Sequence, residues 1–262
     1  MTDNRFLVKR FFYILIFLLS GLTSSAQRLL LKNLTTFDDK RIHFGFTLGV
    51  NTTDFGFTHY NYVSDNPIFL LSTNSLDAQY ITTKTKVRAD ISTLTPGFTV
   101  GIVTNLRLTE SFDLRFLPGM SFGERKLVYT IPIIDINSGT TGPSPYYSIK
   151  STFLDFPLLL KYKSRKMNNQ RPYLIAGGAY RIDISKSGQE DLVRLKPLSS
   201  YIEAGVGWDS YLQFFRLSTE LKFSFGLNNV LDTGPKDTQP QVYSSAISKL
   251  SSNIFTLSFH FE

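Results

Sequence analysis

The sequence predicts an all-β fold: an antiparallel barrel of about eight strands, of the kind that stands in an outer membrane. Three observations carry this. Apolar and polar residues alternate one by one, long and short connections between the alternating stretches alternate strictly, and the first residues have the form of an export signal. The alternation is clearest from Arg216 to Asn228. Leu217, Leu221, Phe223, Phe225 and Leu227 share one parity, whereas Arg216, Ser218, Glu220, Lys222, Ser224, Gly226 and Asn228 share the other. A strand sends successive side chains to opposite faces, so one face is apolar and the other carries full charges. Charge inside and hydrocarbon outside is the arrangement of a barrel in lipid.

At the N-terminus, Arg5, Lys9 and Arg10 precede the apolar run Phe11 to Leu19, and Ser24-Ser25-Ala26 follows with small residues. This order is that of a signal peptide cleaved after residue 26, leaving Gln27 first. The apolar run is shorter than the ~18 residues of a permanent membrane helix. No cysteine follows the cleavage point, which excludes a lipoprotein anchor. Removing three cations and one anion (Asp3) takes the formal net charge from +7 to +5. A basic exported chain favours anionic head groups or acidic partners over nucleic acid. With no cysteine, neither a disulfide framework nor a thiolate metal site exists. Aromatic residues form 14% of the chain, mostly Phe and Tyr, as expected where outward side chains meet lipid.

Residues 27–40, with Asp38, Asp39 and Lys40, read as a short periplasmic lead, and residues 41–262 as the barrel. The strands are expected near 41–51, 95–108, 111–129, 150–163, 171–184, 200–211, 215–228 and 253–262. The first opens with His43 on the inward parity. The second carries Arg107 inward, and the third Asp113 and Arg115. Near Glu124 the apolar parity breaks, so the upper third strand is expected to rise above the lipid. Asp155 and Lys161 mark the fourth strand, Arg181 and Asp183 the fifth, Glu203 and Asp209 the sixth. Arg216, Glu220 and Lys222 mark the seventh. In the last, Phe255, Leu257, Phe259 and Phe261 alternate with Thr256, Ser258, His260 and Glu262. Pro118 and Pro157 fall inside strands, where each removes an amide donor, so bulges are expected at both.

The connections near 108–111, 164–170 and 212–214 are short. Those near 52–94, 130–149, 185–199 and 229–252 are long and rich in Gly, Pro, Ser and Asn. Tight periplasmic turns and extended outer loops produce this asymmetry, which places both termini in the periplasm.

An eight-stranded barrel is just wide enough for its side chains to fill it. The inward charges His43, Arg107, Asp113, Arg115, Asp155, Glu203, Arg216, Glu220, Lys222 and His260 therefore read as a compensated ionic plug. The sharper alternatives are a carboxylate pair for catalysis or an ion path. His43 and His260, on strands that closure makes neighbours, are expected near one another at the periplasmic mouth. Imidazoles can bind metal or titrate near neutrality, but no complete ligand set accompanies them, so polar filling is the expectation. Lys161, Lys163, Arg165, Lys166 and Arg171 concentrate basic charge around one periplasmic turn, either a solvated turn beside lipid phosphates or a docking patch for an acidic partner. Trp208, Tyr211, Phe214 and Phe215 read as interfacial aromatics. Gly205-Val206-Gly207 and Gly177-Gly178 lack the following helix of a dinucleotide loop. Neither a nucleophile elbow nor a zinc-protease helix is present. The chain is expected to be non-enzymatic, with no cofactor and no small-molecule substrate.

The stretches HFGFTLGVNTTDF (His43 to Phe55), STLTPGFTVGIVTNLRL (Ser92 to Leu108) and LRFLPGMSFGERKLVY (Leu114 to Tyr129) resemble the PorT family of outer-membrane proteins. FLDFPLLLKYKS (Phe153 to Ser164), RPYLIAGGAYR (Arg171 to Arg181) and STELKFSFGLNNVL (Ser218 to Leu231) continue the likeness. The resemblance implies a barrel component required for protein export by the type IX secretion machinery, in some bacteria also for gliding. Its implied partners are outer-membrane lipid and other secretion-machinery proteins, and it implies no active-site residue. A stand-alone small barrel acting as an adhesin or ligand-binding protein through its outer loops is the alternative.

Overall fold

The computed structural model describes residues 33–34, 36–62, 65, 88–130, 146–185, 195–232 and 247–262. The expected signal peptide, the start of the lead and most of the long connections lie outside these residues. A short 3-10 turn, Phe37–Asp39, precedes ten antiparallel strands. These are β1 (Ile42–His59), β2 (Arg88–Leu94), β3 (Pro96–Arg107), β4 (Phe112–Phe116), β5 (Gly119–Thr130), β6 (Tyr146–Lys163), β7 (Gln170–Asp183), β8 (Leu198–Tyr211), β9 (Arg216–Gly226) and β10 (Ile247–Phe261). Only Thr95 separates β2 from β3, and only Leu117 and Pro118 separate β4 from β5. The ten segments therefore make the eight staves that the alternation predicts. β1 pairs with β10 on one side and β3 on the other, which closes the ring.

Parity decides which side chain meets which medium. On β7, Arg171, Tyr173, Ile175, Ala179 and Arg181 are buried while Leu174, Tyr180 and Ile182 are exposed. Phe44, Phe46, Leu48 and Val50 of β1 and Phe98, Val100 and Ile102 of β3 continue the exposed apolar band around the wall. Aromatic rings pair across strands on that band, with centroids 4.7 Å apart for Phe46–Phe261 and 4.5 Å for Phe98–Phe122. Among the described residues no helix is long and apolar enough to cross a membrane; the strands themselves are the crossing elements.

Two expectations need correction. Pro118 and Pro157 cause no register shift: β4 and β5 keep one continuous register against both β3 and β6, and β6 keeps its own against β7. A proline forfeits one donor but keeps its acceptor. Here the Pro118 carbonyl accepts from Ile102 N at 2.9 Å and the Pro157 carbonyl from Leu117 N at 3.2 Å. The bulges lie instead at Thr58/His59 and between Ile91 and Thr93. Several strands are also longer than the lipid-type alternation marks out. β1 and β6 each run 18 residues, against the ~9–11 needed to cross hydrocarbon. At that end Asp54, Lys126, Lys150 and Lys249 face outward and exposed. The ladder continues where the apolar face has stopped. Beyond Thr52↔Pro96 the described part of β1 pairs in ladder fashion only with β10, and β2 only with β5.

Candidate functional site

The short connections β3–β4, β6–β7 and β8–β9 gather at one end of the barrel, the turn end, together with the segment before β1. The long connections leave from the other, the loop end. Between the ends the lumen is organised in tiers.

The tier nearer the turn end joins three cations to three anions. Arg115 reaches across from β4 to Glu220 on β9 at 2.7 Å and lies 3.6 Å from Glu262. Lys161 spans both oxygens of Asp209 at 2.8 Å, and Arg216 bonds Glu262 at 2.6 Å. Glu220 also accepts from the Tyr173 hydroxyl at 2.9 Å and lies 3.5 Å from His260 Nε2. All these charged side chains are buried. Next comes an apolar layer of Val103, Leu117, Leu159, Tyr173 and Ile175. A second ionic tier follows, in which Arg181 bonds Asp155 at 2.9 Å and Glu203 at 2.5 Å while Lys222 bonds Glu203 at 3.0 Å. Cation over ring contacts, Lys161 on Tyr173 and Arg181 on Tyr201, tie the tiers to their aromatic neighbours. A polar cavity of about 30 Å³ remains beside Asp155, Arg181, Lys222 and His260. That is room for one or two waters, not for a solute path. The inward glycines now have a packing reason. A Cβ on Gly207 would lie 2.6 Å from Tyr173 Cζ, and one on Gly205 would lie 3.0 Å from the end of Ile175.

Both ends are covered. At the turn end Phe37 stacks on His43 with centroids 4.1 Å apart and lies under the Arg216 guanidinium at 4.7 Å. Asp38 accepts from the Tyr211 hydroxyl at 2.9 and 3.0 Å and from Arg171 at 3.3 Å, and its carbonyl accepts from Arg107. Asn33 donates to Asn169 and to the Tyr211 carbonyl. This strap, described as residues 33–34 and 36–40, is thus fastened to all three short turns or the strand ends beside them. At the loop end the buried side chains of Val230, Leu231, Ile247 and Leu250 form an apolar cap, held by the Leu195↔Leu231 bridge.

The inward charges expected from parity are brought together as a paired network, with two exceptions. Arg107 is half-buried at the turn end and holds the strap. His43 does not meet His260; it lies on β1 four residues before Thr47, the partner of His260, and stacks on Phe37. Among the described residues no group of His, Asp or Glu could hold a metal ion. The five basic residues around the β6–β7 turn do not form one exposed patch. Lys161 is bound to Asp209, Lys163 lies 2.6 Å from Asp113, and Arg171 reaches the Ser164 and Glu110 carbonyls as well as Asp38. Lys166 lies over the Tyr211 ring at 3.6 Å, where burial lowers its pKa; Asp38 opposes that shift, and Arg171 and Arg216 add to it. Only Arg165 is exposed. Tyr211 likewise leaves the expected aromatic belt and points inward, whereas Trp208, Phe214 and Phe215 are exposed. Arg125 inside the barrel and Asp38 of the strap are the charges that parity alone did not supply.

The outer membrane protein beta-barrel domain family matches residues 25–232. The chain belongs to that family, and it is an outer-membrane β-barrel protein. Neisserial surface protein A is similar in structure at a TM-score of 0.40 and 11% identity, over 84% of this chain and 98% of that one. OprG from Pseudomonas aeruginosa gives 0.43 and 12%, over 83% and 92%. Ail, the attachment invasion locus protein of Yersinia pestis, solved with the heparin analogue sucrose octasulfate, gives 0.35 and 7%, over 83% and 96%. No curated protein matches the chain.

Proposed function

We propose that this protein is a non-conducting, non-enzymatic outer-membrane barrel that acts as a stand-alone adhesive or ligand-binding protein. Its turn end and both termini face the periplasm, and its long connections face outward. One observation carries this reading: the lumen is filled by paired charge and covered at both ends, while the wall rises past the hydrocarbon at the loop end. A barrel closed in this way can act only through what it displays. The test is a deletion strain complemented with either the whole protein or a variant whose 131–145 and 233–246 connections are cut to short turns. Loss of surface binding in the deletion strain and the shortened variant, with rescue by the whole protein, is expected. Unchanged binding in the deletion strain rejects the reading.

A second reading rests on the six segments, in order, that resemble the PorT family: an accessory component of type IX secretion, partnered by other subunits of that machinery. In this case the deletion strain retains cargo in the periplasm and its culture fluid loses it. Retained cargo would replace the stand-alone reading; an unchanged secretome rejects the secretion role. The proposed docking route through the basic turn reduces to Arg165, since its neighbours are engaged inside the barrel or by the strap.

A further inference from the structure

Each ionic tier is neutral within itself, and outside the tiers Lys163 and Arg171 pair with Asp113 and Asp38, but one buried cation is left without such a partner among the described residues. Arg125 of β5 is 1% exposed, and none of the ion pairs among the described residues includes it. Its Nη1 and Nη2 donate to the hydroxyls of Ser151 at 3.3 Å and Ser252 at 2.8 Å. The guanidinium lies 4.2 Å from the Phe55 ring centre and 5.4 Å from that of Phe153, and Nε has no partner. Rings and hydroxyls stabilise a cation without cancelling its charge. A full unpaired charge inside a low-dielectric barrel is among the most costly things a fold can contain. The apolar cap above, with Leu231 and Leu250 fully buried, denies it bulk water.

Arg125 borders a cavity of about 10 Å³, together with Asp183, Lys196, Ser199, Tyr201 and Ser252. Of its charged lining only Arg125 is buried; Asp183 is half-buried and Lys196 is exposed. Asp183 is itself engaged by the Ser185 amide and hydroxyl. The space suits a single particle about the size of a water molecule. Phosphate, sulfate and carboxylate ligands are too large for it. A water would satisfy Nε yet leave the charge standing. We propose that this compartment is a binding site for a small monatomic anion, chloride or another halide, held by Arg125 under the loop-end cap and completing the neutrality of the lumen.

The test uses the full protein folded in detergent. Crystals grown with bromide in place of chloride should show an anomalous peak against the Arg125 guanidinium. The melting temperature should rise with the logarithm of chloride concentration when sodium gluconate is exchanged for sodium chloride at constant ionic strength. In Arg125→Met that rise should vanish. No bromide peak at Arg125, or equal melting of the unaltered protein in the two salts, overturns the proposal. An equal chloride response in Arg125→Met also overturns it. If that variant does not fold, the anomalous map and the salt comparison on the unaltered protein still decide.

Discussion

Glu220 serves three lumen side chains, Arg115, Tyr173 and, at longer range, His260. Glu220→Gln keeps the shape but leaves Arg115 with only the more distant Glu262. Breaking a buried pair by removing one partner typically costs ~3–5 kcal/mol, and a loss of that order is expected in urea unfolding of the detergent-folded protein. No loss would contradict a paired lumen. Gly207→Ala should act on the same contact from the other side, since its Cβ would displace the Tyr173 ring. A destabilisation of ~1–3 kcal/mol is expected from overpacking at such a site, and a Tyr173→Phe background should not relieve it, because ring Cζ and the Thr219 carbonyl oxygen, 2.5 Å from that Cβ, both remain. Parity in the sequence is enough to say that Arg115 and Glu220 both face inward. It cannot say that they meet, because they lie on β4 and β9, 105 residues apart, and height and azimuth come only from closure and shear. Arg125 was hidden for a related reason. Glu124 and Lys126 beside it face outward above the lipid, so three charges in a row look like a lost pattern, although the odd parity from Asp113 onward is unbroken.

At the scale of elements, strands and short turns were legible because period-2 alternation and turn residues are local signals. The loop-end extensions of β1, β6 and β10 were not, since there the outward residues are polar and only ladder bonding defines the strand. The strap is the clearest case of structure without a local signal. Phe37 and Asp38 have no periodic context, and their partners come from β1, β3, β7, β8 and β9. Because Asp38 fastens it to Tyr211 and Arg171, Asp38→Ala should free the strap while the ladder persists. Hydrogen exchange read by mass spectrometry should show faster exchange confined to residues 33–40, with β7 and β8 amides unchanged. Protection of the strap equal to that of the unaltered protein would mean that stacking of Phe37 on His43 holds it alone. By contrast, neutralising Lys163 should disturb the barrel through Asp113, whereas neutralising the exposed Arg165 should leave stability within ~0.5 kcal/mol.

For the whole molecule, closure and filling make separate predictions. Closure leaves no open edge in the hydrocarbon, and opening it there would strand backbone groups without partners. The folded protein should therefore resist detergent and migrate differently before and after boiling on a denaturing gel; one position in both lanes would contradict the closed ring. Filling is tested by conductance. A path along the axis must pass the strap, the Arg115–Glu220–Arg216 tier, the Val103–Leu159 layer, the Arg181–Glu203 tier and the Leu231 cap in series. Removing one barrier leaves the others in place, and the cavity beside Asp155 and Lys222 holds only about 30 Å³. Planar bilayers containing the protein should show no steady conductance, and neither should those containing a variant that lacks residues 33–40. Steady channels in the unmodified protein would contradict the tiers themselves. Channels appearing only in the strapless variant would mean instead that the strap is the gate and that the tiers rearrange once it is gone, so the two results separate a filled barrel from a stoppered one.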